Sequence, residues 1–268
     1  MAYSIKEYRV ILPMTVEEYQ IAQLFAVAEV SKSQTGGGEG VEVIKNEPYT
    51  KGEEKGQYTH KIYHLETKVP GMVKKIAPKG SLRLQEEAWN AYPKCKTVLT
   101  NDYMGKNFEI SIESLHMQDD GKKENVHNLP ADLWKKTKVV TIDIANDEIS
   151  RGDYDPAVDP AKADFTIDGR GKLGKDWVKE YKSKGVPVMC CYKLVKCKFE
   201  WFMLQSAVEK MIHTQERKLF FMFHRQLYCS MPNWYGKTLQ DIRELEDKTK
   251  ADLEELRQTG EVRGMSAN

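Results

Sequence analysis

The sequence lacks the features that identify several common classes of protein. No apolar run approaches the roughly 18 residues that a membrane-spanning helix needs, and residues 1–9 lack the apolar core of a secretory signal. The 41 basic and 40 acidic residues leave a net charge of +1, so no charge of one sign attracts nucleic acid or anionic membranes to the whole protein. We therefore expect a soluble cytoplasmic protein that does not bind nucleic acid.

Cysteine is scarce, and familiar catalytic and metal-binding motifs are missing. The five cysteines have no framework spacing, which indicates reduced thiols rather than a disulfide scaffold. The sequence contains no Gly-x-Ser-x-Gly, and the acidic residues at 153–159 lack the glycine and the closing Glu of an EF-hand loop. His60 and His64 fall on a predicted strand, which places them roughly 13 Å apart. We predict no catalytic residue, no metal site and no cofactor.

Along the chain, the spacing of apolar residues changes between the period of a strand and that of a helix. Residues 5–12 alternate as a strand, and Thr15 begins a capping box with Glu18 for a helix that ends near Ser33. Further segments alternate with period two between turn signals. These predicted strands are 41–49, 57–65, 82–89, 94–100, 107–116, 138–145 and 187–199.

Apolar residues take helical spacing over 204–227, and a second helix starts near Thr238 and stops at Gly260. The gaps between the strands of 41–116 are mostly too short for crossover helices, so those strands should pair antiparallel. The pattern predicts an α+β fold, with one antiparallel sheet, one helix before it and two after it. We expect a single domain over residues 1–268.

Two segments are predicted to be irregular. Residues 146–185 are rich in Asp, Gly, Pro and Lys without a sustained period, which predicts a long functional or mobile loop. The glycine-rich segment 36–40 has a predicted helix before it and a strand after it, the reverse of the order in a phosphate-binding loop. We interpret it as a flexible connection.

Two predicted strands carry an unusual mixture of side chains on one face. Alternation places Thr59 and Lys61 beside large apolar groups, and it places Cys95 and Thr97 beside Leu99. Ligand cavities are mostly apolar with a few convergent polar groups. This face fits the wall of a cavity, and the alternative is that it simply meets solvent.

Several blocks of the sequence resemble the class I phosphatidylinositol transfer proteins. They are GGGEGVEVIKNEPY at 36–49, GQYTHKIYHL at 56–65, AWNAYPKCKT at 88–97, MCCYKLV at 189–195, FHRQL at 223–227 and VRGMSA at 262–267. The resemblance is collinear over essentially the whole chain. It implies a START-like fold in which a concave antiparallel sheet and long helices enclose one phospholipid. It also implies exchange of phosphatidylinositol and phosphatidylcholine between membranes without covalent chemistry.

The resemblance further implies which residues hold the lipid head group. The family's positions fall on Thr59, Lys61, Asn90 and Glu246 for the inositol ring, and on Gln23, Cys95 and Thr97 near the phosphate or the choline-bearing lipid. A lysine suits the phosphate or an adjacent hydroxyl, and the neutral and acidic groups suit ring hydroxyls. The bound phospholipid is then cargo rather than a cofactor.

A gate and a membrane contact are implied in the same way. Residues 68–76 resemble the family's lipid-exchange loop, and Trp201 and Phe202 match its membrane-docking aromatic pair, in which Phe202 replaces a tryptophan. Exposing two acyl chains of about thirty methylenes would cost roughly 24 kcal/mol, so the lipid needs a closed compartment. The C-terminal helix and tail, 238–268, would pack over its opening.

The chain departs from the family pattern in several places. Met203 stands where Gly is usual, Ser230 where a Trp is common, and Lys94 where an aromatic residue is usual. The family's phosphorylatable serine has no clear counterpart near Phe165 and Thr166. The family's regulation by phosphorylation is therefore not carried over to this chain.

Two other functions are compatible with the same cavity. A hydrolase or cyclase would need a buried acid–base pair, for which Glu246 with a nearby His is the candidate. An adaptor would present its lipid to a lipid kinase without bulk transfer. We expect instead a non-enzymatic carrier that is a monomer in solution, contacts membranes transiently and has lipid kinases as partners.

Overall fold

An eight-stranded sheet forms the framework of the part of the chain that the structure describes. The structure is a computed structural model that describes residues 3–65, 75, 78, 82–201 and 205–261. The strands are β1 Ser4–Leu12, β2 Gly40–Lys51, β3 Glu54–His64, β4 Arg83–Ala91, β5 Lys94–Thr100, β6 Phe108–Met117, β7 Lys138–Asp143 and β8 Met189–Phe199. Their order across the sheet is β2-β3-β4-β5-β6-β8-β1-β7.

All neighbouring strands pair antiparallel except β1 and β7, which pair parallel. The antiparallel pairing predicted for the strands of 41–116 is confirmed, but a wholly antiparallel sheet is not observed. The reason is the connection 118–137, which is long enough to return the chain to the opposite end of the sheet before β7 begins. The sheet is therefore mixed.

Six helices accompany the sheet in the described residues, and none is long and apolar enough to cross a bilayer. They are α1 Val16–Ser33, α2 Ala131–Trp134, α3 Trp177–Ser183, α4 Gln205–Cys229, α5 Met231–Trp234 and α6 Leu239–Thr259. The predicted capping box of Thr15 and Glu18 is present, and Thr238 and Asp241 form a second one before α6. The α+β prediction is confirmed.

The core lies where α1 and α4 pack against the sheet. Tyr8, Val10 and Leu12 of β1 are fully buried on one face, as their alternation predicts. The ring of Tyr8 meets that of Phe220 of α4 edge-on, with centroids 5.4 Å apart. This packing fixes α4 against β1 and β8.

The predicted loop at 146–185 is more structured than its composition suggests. It contains α3 and two short 3-10 turns, Pro156–Val158 and Pro160–Lys162. Trp177 is buried and donates its indole N–H to Asp143 over 3.1 Å. The segment is thus anchored to the sheet, although most of its residues lie outside helices and strands.

The glycine-rich segment 36–40 is a hydrogen-bonded turn. Gly36 and Glu39 exchange backbone hydrogen bonds of 3.0 and 3.1 Å. The N–H of Gly38 donates to the carbonyl oxygen of Arg257 near the end of α6, over 2.9 Å. The segment connects α1 to β2 as predicted, but it also binds α6 and is not a loose connection.

Candidate functional site: a cavity between sheet and helices

A cavity of about 430 Å³ lies between the sheet and helices α1, α4 and α6. This volume falls within the roughly 300–1,000 Å³ that is typical of ligand sites. Its apolar wall comes from residues such as Leu24, Val27, Leu84, Leu99, Ile112, Phe220 and Leu253. Its polar residues include Gln23, Asn46, Gln57, Thr59, Lys61, Glu86, Asn90, Thr97, Ser114, Lys193, Glu216 and Glu246.

The structure brings together all seven residues that the sequence assigned to the head group. They are Thr59 and Lys61 of β3, Asn90 of β4, Cys95 and Thr97 of β5, Gln23 of α1 and Glu246 of α6. The strand face that carries the first five lines the cavity, so it is not a plain solvent-facing surface. Their roles in binding stay predictions.

An ion pair joins two neighbouring strands in the wall of the cavity. Lys61 and Glu86 are directly opposite on β3 and β4, and the ammonium nitrogen lies 3.5 Å from a carboxylate oxygen. Tyr63 donates its hydroxyl to the other oxygen of Glu86 over 2.8 Å. Burial and the neighbouring Glu86 carboxylate raise the pKa of Tyr63 well above its usual range. The tyrosine is therefore a neutral donor.

Two further ionisable residues, Lys193 and Glu216, also line the cavity, and the sequence analysis missed them. Lys193 of β8 is buried, and its ammonium nitrogen sits 5.3 Å from the centre of the Phe220 ring. Burial raises the pKa of Glu216 of α4 to about 7, while Lys193 acts in the opposite direction. Glu216 Oε2 has no hydrogen-bond partner among the described residues. One feature of the sequence could have identified Lys193: it is a lysine at an inward position of a strand whose other inward residues are apolar or cysteine.

The thiol of Cys95 and the amide of Gln23, which also line the cavity, are neutral donors or acceptors. Burial raises the pKa of Cys95 to about 12, so this side chain is a thiol and not a nucleophilic thiolate at neutral pH. The hydroxyl of Tyr92 donates to the side-chain oxygen of Gln23. Since that oxygen is taken, the amide nitrogen of Gln23 is left to donate toward the cavity.

The cavity does not place a histidine with Glu246, the acid–base pair that the sequence suggested for an enzyme. Among the described lining residues there is no histidine beside Glu246. His64 is bound to Glu42 over 2.9 Å, and His60 is bound to Gln85 over 2.8 Å. The candidate pair named from the sequence is therefore not brought together.

The predicted membrane contact is only partly within the described residues. Trp201 follows β8, is half-buried, and has its ring centre 6.4 Å from that of Tyr103, a residue with 55% of its surface exposed. Phe202 and Met203 lie outside the described residues, as does all of 68–76 except Lys75, which is exposed.

The structure describes two of the residues that depart from the family pattern. Lys94 is exposed at the start of β5. Ser230 lies between α4 and α5, and its hydroxyl donates to the carbonyl oxygen of Leu227 over 3.0 Å. Neither side chain lines the cavity. These substitutions leave the described lining unchanged.

A family model described as "Phosphatidylinositol transfer protein" matches residues 3–251. This chain belongs to the phosphatidylinositol transfer protein family. The human phosphatidylinositol transfer protein beta isoform is 53% identical over 265 residues, which is 98% of each chain. Phosphatidylinositol transfer protein 1 of Dictyostelium discoideum is 46% identical over 249 residues, covering 93% of this chain and 94% of that protein. The resemblance seen in the sequence is confirmed.

Proposed function

We propose that this protein binds one molecule of phosphatidylinositol or phosphatidylcholine in the cavity and exchanges it between membranes, in support of phosphoinositide synthesis and signalling. The observation that carries the proposal is the convergence of the seven predicted head-group residues on one largely apolar cavity. Family membership gives independent support, since the relatives are named as phosphatidylinositol transfer proteins.

The inositol ring would sit between the sheet and α6. Thr59, Lys61 and Asn90 approach from β3 and β4, and Glu246 approaches from α6. Together they offer donors and acceptors to the ring hydroxyls. A choline head group has no such hydroxyls, so these contacts would favour the inositol lipid only.

The phosphate, which both lipids share, would lie closer to Lys193. This lysine is buried and has no carboxylate within ion-pair distance among the described residues. A buried cation is strongly stabilised by a phosphate anion. Thr97, Ser114 and the amide nitrogen of Gln23 line the same cavity and add neutral donors.

The acyl chains would occupy the apolar part of the cavity. Each methylene exposed to water costs about 0.8 kcal/mol, so a protein that held only the head group would gain nothing from extracting a lipid. The apolar lining removes that cost during passage between membranes. Exchange then needs only opening and closing, without a bond being made or broken.

We expect a cytoplasmic monomer that touches membranes transiently through Trp201 and Phe202. Lipid kinases that consume the delivered inositol lipid would be its functional partners. The bound lipid acts as cargo, and no cofactor takes part.

Mass spectrometry of the lipid that copurifies with the native protein tests the proposal directly. The expected result is about one phospholipid per chain, with inositol and choline lipids both present. The same preparation should move labelled phosphatidylinositol between vesicles. Protein that contains no lipid and moves none would overturn the proposal, and chemical conversion of the bound lipid would favour the enzyme alternative.

A further inference from the structure

A β-bulge in β2 determines which side chain of that strand meets α6. The register with β3 shifts between Val43 and Lys45, which leaves Ile44 as the extra residue, 37% exposed. A bulge reverses the alternation of side chains beyond it. As a result Asn46, and not Lys45, shares the cavity face with Val43.

Hydrogen bonds fix the direction of the Asn46 amide. The side-chain nitrogen of Gln57 donates to Asn46 Oδ1 over 2.7 Å, and Asn46 Nδ2 donates to Glu246 Oε2 over 3.2 Å. A carboxylate only accepts hydrogen bonds, so the nitrogen end of Asn46 must face Glu246. The opposite orientation would place two oxygens against each other.

One oxygen of Glu246 is thereby occupied and the other is left for a ligand. Oε2 accepts from Asn46 and also from Arg243 one turn earlier on α6, over 2.5 Å. No donor from the described part of the chain reaches Oε1. A free carboxylate oxygen that lines a cavity is suited to accept from a hydroxyl group.

Resting on the function proposed above, we infer that Asn46 is a positioning residue for Glu246 in the recognition of inositol lipids. It holds the carboxylate so that Oε1 faces the ring hydroxyls. Because Glu246 is on α6 and Asn46 is on β2, the same bond ties this helix to the edge of the sheet. Recognition of a hydroxyl-bearing head group is thus linked to the position of the helix.

The test compares Asn46→Leu and Asn46→Asp with Lys45→Leu, a matched control for an exposed neighbour on the same strand. Transfer of labelled phosphatidylinositol and phosphatidylcholine between vesicles is measured for each variant. Asn46→Leu should slow inositol-lipid transfer about tenfold, as expected for one hydrogen bond to a charged group. Choline-lipid transfer should stay within about twofold of wild type. Asn46→Asp should be worse than Asn46→Leu, because it places an acceptor against Glu246.

A double variant shows whether Asn46 acts through Glu246. Adding Asn46→Leu to Glu246→Gln should change inositol-lipid transfer little beyond Glu246→Gln alone. Additive losses, or equal losses for both lipids, would overturn the positioning role. Thermal unfolding of each variant, with Asn46→Ser as a milder change, separates misfolding from loss of recognition.

The outcome also separates this inference from the proposed function. Wild-type protein that transfers phosphatidylinositol normally while Asn46→Leu and Asn46→Asp do the same would overturn only the role of Asn46. Wild-type protein that neither carries nor transfers phosphatidylinositol would overturn both.

Discussion

Lys61 and Glu86 face each other on β3 and β4, and their charged groups lie 3.5 Å apart in the wall of the cavity. Their side chains are 14% and 13% exposed, so water screens the pair only partly. The charge of Lys61 is therefore shared between Glu86 and whatever the cavity holds. Glu86 thus limits how strongly Lys61 attracts an anionic ligand.

Replacing Lys61 should separate the two cargoes. Lys61→Ala removes a charged donor worth about 1.5–3 kcal/mol, so phosphatidylinositol transfer should fall at least about tenfold. Choline-lipid transfer should be largely retained. The double variant Lys61→Ala/Glu86→Gln controls for the carboxylate that the single variant leaves without its cation. Equal loss of both lipids would contradict the assignment of Lys61 to the inositol head group.

Glu216 should make stability depend on pH near neutrality. Burial raises its pKa from 4.5 to about 7, so between these values the folded protein binds a proton that the unfolded chain has lost. The stabilisation that Glu216 contributes is complete below the pKa of this group in the unfolded chain. It is lost as pH rises through the pKa of the group in the folded protein. Stability should thus fall by about 1 kcal/mol between pH 6 and pH 8 from this group.

Urea unfolding of one lipid-loaded preparation checks the effect of Glu216. Glu216→Gln should remove this part of the pH dependence, whereas Glu244→Gln on the exposed face of α6 should leave it in place. Parallel pH profiles for wild type and Glu216→Gln would show that the carboxyl group does not titrate in this range.

Replacing Trp201 should weaken docking to membranes without changing the lipid that the protein contains. The Trp201 ring is half-buried and adjoins the exposed Tyr103, and transfer of such a ring to a membrane interface is worth about 1–2 kcal/mol. Trp201→Ala should therefore weaken vesicle binding roughly 5- to 30-fold, with unchanged lipid content by mass spectrometry. Tyr154→Ala, at an exposed aromatic residue of the 146–185 segment, serves as the control. An unaltered transfer rate for Trp201→Ala would remove the docking role.

Arg225 should be required for stability. This buried residue of α4 donates to Asp159 over 2.9 Å and to the carbonyl oxygen of Ile144 over 2.7 Å. Breaking a buried ion pair costs about 3–5 kcal/mol, so Arg225→Ala should lower the unfolding free energy by that amount. Arg217, on the same helix as Arg225, pairs with Asp147, but the Arg217 side chain is 39% exposed. Arg217→Ala should therefore lower the unfolding free energy by only about 0–1 kcal/mol. Similar losses for the two variants in urea unfolding would refute this difference.

The sequence was sufficient for features that depend on local periodicity. Strand alternation placed Thr59 with Lys61 and Cys95 with Thr97, and both pairs lie on the cavity face. Thr15 and Glu18 predicted their capping box because its chemistry is confined to one helical turn. The resemblance supplied Glu246, which no local pattern could have joined to the sheet.

Other features depend on contacts between distant parts of the chain. Strict alternation from Val43 would have put Lys45 in the cavity, and only the pairing with β3 reveals the bulge. Helix α3 is too short to show a sustained period. Arg225, far along the sequence, also holds the segment 146–185 through its bond to Asp159, and the polar composition of the segment could not indicate that contact.

The division of the cavity lining between sheet and helix has a kinetic consequence. Thr59, Lys61 and Asn90 belong to the sheet, whereas Glu246 belongs to α6. Under the proposed function, a ligand that bonds to both sides would act as a crosslink, and those bonds would have to break before α6 could separate from the sheet. A head group without hydroxyls imposes no such barrier. The tighter-bound cargo would therefore have the longer residence time, and selectivity would be gained at the expense of turnover.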